Sequence, residues 1–169
     1  MVGRILLPLL FLPLASGTRS QSGLRPTAQP VELTRNGARV DVLVGGRPFT
    51  SYYFDPSVAK PYLFPLRTAH GIVVTRGFPM TPDMAGEDHD EPHQRAMYFA
   101  HGNINGFDFW GEAAFPKWSD HQVSTFGRTV FRTLDDFQGG SEGGSLQATF
   151  DLVTPIGTIA EERQRYRFG

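Results

Sequence analysis

The 169-residue sequence contains no cysteine. Disulfides, thiolate metal ligands and a lipid-bearing cysteine are therefore all excluded, and stability must come from an apolar core. Charge of one sign is also lacking: 16 basic residues face 17 acidic ones, for a formal net charge of −1. Without a basic surface, the chain offers little to a nucleic acid. Beyond the N-terminal segment no apolar run approaches the roughly 20 residues that a membrane-spanning helix needs. Helical periodicity is missing too, because after the N-terminal segment apolar residues never recur at i, i+3, i+4 and i+7 over three turns.

Glycine (19) and proline (13) are instead abundant and spread along the chain, as suits short strands joined by turns. Residues 1–17 stand apart: a basic start at Arg4, the apolar run Ile5–Ala15, and small residues through Gly17. This pattern predicts a signal peptide, hence an exported protein, periplasmic or extracellular. Residues 18–30 (TRSQSGLRPTAQP) are polar and aperiodic, and read as a flexible linker.

From Val31 onward apolar and polar residues alternate. Asn36-Gly37 and Gly45-Gly46 mark hairpin turns, with Val40, Val42 and Val44 on one strand face. Two short strands are expected around His70-Gly71, the second of them the apolar run Ile72–Val74. An irregular acidic loop over Met80–Pro92 follows, then strands at 93–101 and 107–112 joined by a turn at residues 103–106. Val123–Leu134 alternates again, and 145–154 with 158–168 form a hairpin turned at Pro155-Ile156-Gly157. The expected fold class is all-β, an antiparallel β-sandwich. Residues 31–169 are read as the N-terminal part of one such domain, because the chain stops inside an apparent strand.

Chemistry concentrates in residues 89–112. A regular strand over 93–101 would put His93, Arg95 and His101 on one face, the two histidines about 27 Å apart at ~3.3 Å per residue. Histidine is the residue type best suited to proton transfer at physiological pH, so His101 is a candidate general acid or base, and His93 a second. HGNINGFDFW (101–110) combines Asn105, Asp108 and Trp110 around a tight turn. Polar donors beside an aromatic face suit a sugar, whose ring has hydroxyls at its rim and C–H groups on its faces. Arg76 follows an apolar strand, where an arginine commonly pairs with a carboxylate or a ligand oxygen. Lys60, Arg76 and Arg95 join the candidate ligand contacts, and Trp118, Asp120 and His121 could rim the same cleft. No cofactor is implied, although His89, His93 and His101 form an alternative set for a divalent metal using nitrogen ligands.

These motifs carry a resemblance. KPYLFPLRTAHGIVVTRGFPM, DEPHQRAMYFAHGNINGFDFWGE and FGRTVFR together resemble an exported bacterial family labelled "methane oxygenase PmoA", over about Lys60 to Arg132. Lys60, Arg76, His93, Arg95, His101, Asn105, Asp108 and Trp110 fall on matching motif positions, whereas Glu91 and Gln94 stand where that family has histidine. The label cannot denote the membrane-spanning methane monooxygenase subunit, given the absence of a long apolar span. More distantly, HGNINGFDFW is similar to a segment of aldose 1-epimerases, the galactose-mutarotase family. That similarity implies a large mutarotase-like antiparallel sandwich, a sugar or oligosaccharide ligand, and contact between His101 and the sugar. The functional expectation is an exported protein that binds or processes carbohydrate. A metal-dependent oxidoreductase and a non-catalytic β-sandwich scaffold are the alternatives.

Overall fold

A computed structural model describes residues 28–112 and 125–169. The signal segment, most of the linker, and Trp118, Asp120 and His121 lie outside the described residues. Eight strands are present: β1 (Val31–Asn36), β2 (Arg39–Val44), β3 (Arg47–Tyr53), β4 (Tyr62–Phe64), β5 (Met97–Tyr98), β6 (Arg128–Gln138), β7 (Gly144–Thr154) and β8 (Gly157–Phe168). No α-helix occurs among the described residues. The strands form two antiparallel sheets, one ordered β1-β2-β3-β4-β5 and the other β6-β7-β8. The expected all-β antiparallel sandwich is the observed architecture.

Turn chemistry explains the first sheet. Gly37 (φ 60°), Gly45 (φ 58°) and Gly46 (φ 70°) take the left-handed backbone that two-residue hairpins demand and that side-chain-bearing residues resist. Alternation then sorts the faces: Val40 and Val42 of β2 and Tyr52 of β3 are buried, while Asp41 and Ser51 face outward and hydrogen-bond to each other at 2.6 Å. The second sheet follows the same arithmetic. Leu146, Ala148, Phe150 and Leu152 of β7 are buried at period two. The outward residues Asp151 and Glu161 share Arg132 at 3.3 and 2.7 Å.

The two inner faces meet in one core built from Val40, Tyr52, Phe54 and Leu63 against Leu146, Ala148 and Phe150. Tyr52 stands edge-on to Phe150, with ring centroids 6.5 Å apart, and its hydroxyl donates to Gln164 Oε1 across the sandwich at 2.7 Å. A buried phenol needs such an acceptor, and burial pushes this one well above the usual tyrosine range.

Three expectations need correction. Residues 93–101 do not form one regular strand, because Ala96 adopts φ 54° and only Met97–Tyr98 pair with β4. Residues 107–112 are not a strand; they curve through a turn, with Ile104 and Phe107 closing an isolated bridge. Of the two short strands expected around His70-Gly71, the first is present as β4. The second is reduced to an Arg67–Val73 bridge flanked by hydrogen bonds from Thr68 N–H to Ile72 O (2.9 Å) and Val74 N–H to Leu66 O (3.0 Å), with Ile72 and Val74 exposed rather than buried. Apolar composition alone points to a buried strand there, but among the described residues Ile72, Val73 and Val74 are all exposed.

Candidate functional site

The site lies on the outer face of the first sheet at its β4–β5 edge, where three backbone couplings assemble it. Thr129 N–H donates to the Ala59 carbonyl at 2.8 Å, which places Lys60 beside the start of β6. Asp108 N–H donates to Thr125 O, and Gly127 N–H to Asp108 O, both at 2.8 Å. Phe109 N–H donates to the His101 carbonyl at 3.1 Å, tying the two ends of the 101–110 loop. This close passage requires Gly127, because a Cβ there would fall 2.3 Å from the Phe109 ring.

At the centre is Glu112, 3% exposed. Its carboxylate takes two hydrogen bonds from the Arg95 guanidinium, at 3.1 and 3.2 Å, and stands 3.2 Å from Lys60 Nζ. Lys60 is fully buried, and its ammonium also donates to the Trp110 carbonyl at 2.6 Å. Burial lowers the Lys60 pKa, and Glu112 opposes that shift. Lys60 lies 5.1 Å from the centroid of the Tyr98 ring, Arg95 5.8 Å from that of Tyr62, and Arg39 5.8 Å from that of Tyr53. Tyr53 and Tyr62 stack at 5.0 Å, so three outward tyrosines on β3, β4 and β5 each carry a cation on their rings.

His93 is the second buried element. Its Nε2 accepts from the Trp110 indole N–H at 2.9 Å, and its Nδ1 stands 3.3 Å from Glu91 Oε2. An acceptor at Nε2 requires a neutral ring with its proton on Nδ1. Burial, then the charge of Lys60, depress the His93 pKa, which favours that neutral form. Glu91, one of the two departures from the histidine-bearing motif, thus supplies the carboxylate beside the imidazole.

Asp108 closes the frame from below, its Oδ1 accepting from the backbone N–H of Trp110 (2.7 Å) and Gly111 (3.1 Å). Trp110 is therefore held at its amide by Asp108, at its carbonyl by Lys60 and at its indole nitrogen by His93. Even so, 41% of it is exposed. His101 is exposed; its Nδ1 accepts from Asn103 N–H at 3.1 Å, so a neutral ring carries its proton on Nε2. Asn105 is an exposed turn residue at φ 53°.

The structure thus brings Lys60, His93, Arg95, Asp108 and Trp110 into one cluster, with His101 on the loop beside it. Arg76 goes elsewhere: it donates to the Asp88 carbonyl at 2.6 Å and lies over Phe78, against which His89 stacks at 4.3 Å. His89, His93 and His101 have separate partners, and among the described residues no three His, Asp or Glu side chains are grouped to hold a metal ion. Sequence reasoning missed Glu112, Tyr62 and Tyr98. The signal for Glu112 was an acid directly after Trp110-Gly111, but nothing local announces its burial.

No curated protein and no solved structure matches the chain. The sequence pattern of a family of unknown function, DUF6807, matches residues 39–169, which include every strand from β2 to β8 and the whole of this cluster. The chain belongs to that family.

Proposed function

We propose that this protein is exported and binds carbohydrate, with Trp110 as the apolar platform and His101 and Asn105 as polar contacts at its rim. The observation that carries this reading is the state of Trp110: anchored at three points, yet 41% exposed. Exposing a large apolar ring gains a monomer nothing, and immobilising it costs conformational entropy. A rigid indole lowers the entropic cost of stacking a sugar ring, as any pre-organised contact does. Exposed His101 and Asn105 add donors and acceptors for hydroxyls on the same loop. The likeness of residues 101–110 to the aldose 1-epimerase segment points the same way.

In this reading the buried residues and half-buried Arg95 are positioning groups. Lys60, Glu112, Arg95 and Asp108 fix the loop, and His93 fixes the indole. The test is thermal unfolding in the presence of a broad panel of mono- and oligosaccharides. A sugar that raises Tm, with the rise abolished in Trp110→Ala and reduced in His101→Ala, is the expected result. The absence of a shift across the panel contradicts the proposal.

A further inference from the structure

On the opposite side of the same sheet edge, a cleft of about 380 Å³ opens between β5 and β8. Met97, Tyr98 and Phe99 stand on one side, and the β8 stretch Glu162, Arg163, Gln164, Arg165 and Tyr166 on the other. A volume of this order accommodates a small organic ligand. Register puts Glu162 and Gln164 on the inward face of β8, opposite the buried Phe150 and Ala148 of β7. An acid at an inward position is unusual, since burying a carboxylate is unfavourable unless it is paired.

The chain supplies only part of that pairing. Gln164 is oriented by two phenols, because its Oε1 accepts from Tyr52 (2.7 Å) and Tyr166 (2.9 Å). Its amide nitrogen then donates to Glu162 Oε1. Among the described residues no cation forms an ion pair with Glu162. The neighbouring arginines point to the outer face, where Arg163 pairs with Glu161 at 2.9 Å and Arg165 binds Gln147 at 2.8 Å. Meanwhile Met97 and Phe99 are 46% and 60% exposed, an apolar wall beside an inward acid that forms no ion pair among the described residues.

We propose that this cleft binds an organic ammonium ion, with Glu162 as its counter-ion, Met97 and Phe99 packing its apolar body, and Tyr166 offering a ring to the charge. A carboxylate beside a thioether and aromatic rings satisfies both halves of such a ligand: the cation gains a Coulombic partner and π-faces, and the hydrocarbon leaves water. Tyr98 borders both this cleft and Trp110, their ring centroids 5.6 Å apart, but neither proposal requires the other.

The experiment is isothermal titration of the 169-residue chain with benzylammonium and phenethylammonium, with benzyl alcohol as the uncharged control. Saturable binding of an ammonium at least tenfold tighter than benzyl alcohol is expected, weakened at least tenfold by Glu162→Gln. Phe99→Ala, at a largely exposed position that leaves the fold intact, is expected to weaken it as well. Equal binding of benzyl alcohol, or an unchanged affinity in folded Glu162→Gln, would reduce the cleft to an unselective apolar crevice and overturn the proposal. No binding of either ammonium also overturns it.

Discussion

Glu112→Gln is the perturbation that probes the frame of the site most sharply. The wild-type carboxylate neutralises two cations, Lys60 at 3.2 Å and Arg95 at 3.1 Å, in a setting where Lys60 is 0% and Glu112 3% exposed. Removing one partner of a buried pair costs about 3–5 kcal/mol, because the remaining charge stays uncompensated. Lys60 can shed its proton, its pKa being already lowered by burial, which caps the loss near the bottom of that range. A loss of about 3 kcal/mol corresponds to a Tm decrease of roughly 6–12 °C for a chain of this size. Lys60→Met should cost less, about 1–3 kcal/mol, since Glu112 keeps Arg95 while the Trp110 carbonyl loses its donor. The two substitutions share a partner, so the double variant should lose at least 0.5 kcal/mol less than the sum. The pH dependence has a definite sign. A folded-state lysine pKa below its ordinary 10.5 means that the unfolded chain holds more protons in that window, so stability rises with pH there. Without Glu112 the Lys60 pKa falls further, and the deficit of Glu112→Gln should shrink between pH 7 and pH 9 in urea unfolding. A cost below about 1 kcal/mol with strictly additive single variants would refute the claim that this carboxylate neutralises buried Lys60 and half-buried Arg95.

Three further outcomes are expected. Gly127→Ala places a Cβ 2.3 Å from the Phe109 ring and should destabilise by roughly 1–3 kcal/mol, read by chemical unfolding, with Trp110 fluorescence altered in the folded state. His93, depressed below its ordinary 6.5, holds fewer protons folded than unfolded; stability should therefore fall as pH drops below about 6.5, and His93→Gln should flatten that slope in a pH series of melting curves. Burial raises the Glu162 pKa above its ordinary 4.5, so this group's contribution is fully present below 4.5 and is lost as pH rises through the folded value. Glu162→Gln should accordingly melt higher than wild type at pH 7, even though it loses ammonium binding.

How far the sequence reveals this molecule depends on how local the deciding physics is. The hairpins are legible because alternation and turn chemistry sit within a few residues: Gly45-Gly46 and Pro155-Ile156 turn where expected, and the Asn36-Gly37 signal turns one residue later, at Gly37-Ala38. The 93–112 stretch is not, since a non-glycine residue at positive φ, Ala96, ends the alternation without any compositional mark. Trp110, Lys60 and His93 are visible as chemistry-bearing residues, but their joint placement depends on β6 reaching back to Ala59 and Asp108, contacts distant in sequence. Glu162 and Gln164 were legible in principle: period two puts them on the face of Tyr166 and Phe168, although their charge invites a solvent-facing assignment.

The measurement that bears most directly on the central claim uses the small tryptophan count. The chain has two, so Trp118→Phe leaves Trp110 as sole indole reporter. Titrating that variant with the carbohydrate panel should give, for at least one sugar, a saturable blue shift of emission as the exposed ring is covered, and His93→Gln should blunt it. Emission that stays unchanged across the whole panel in the folded variant would contradict a sugar platform at Trp110.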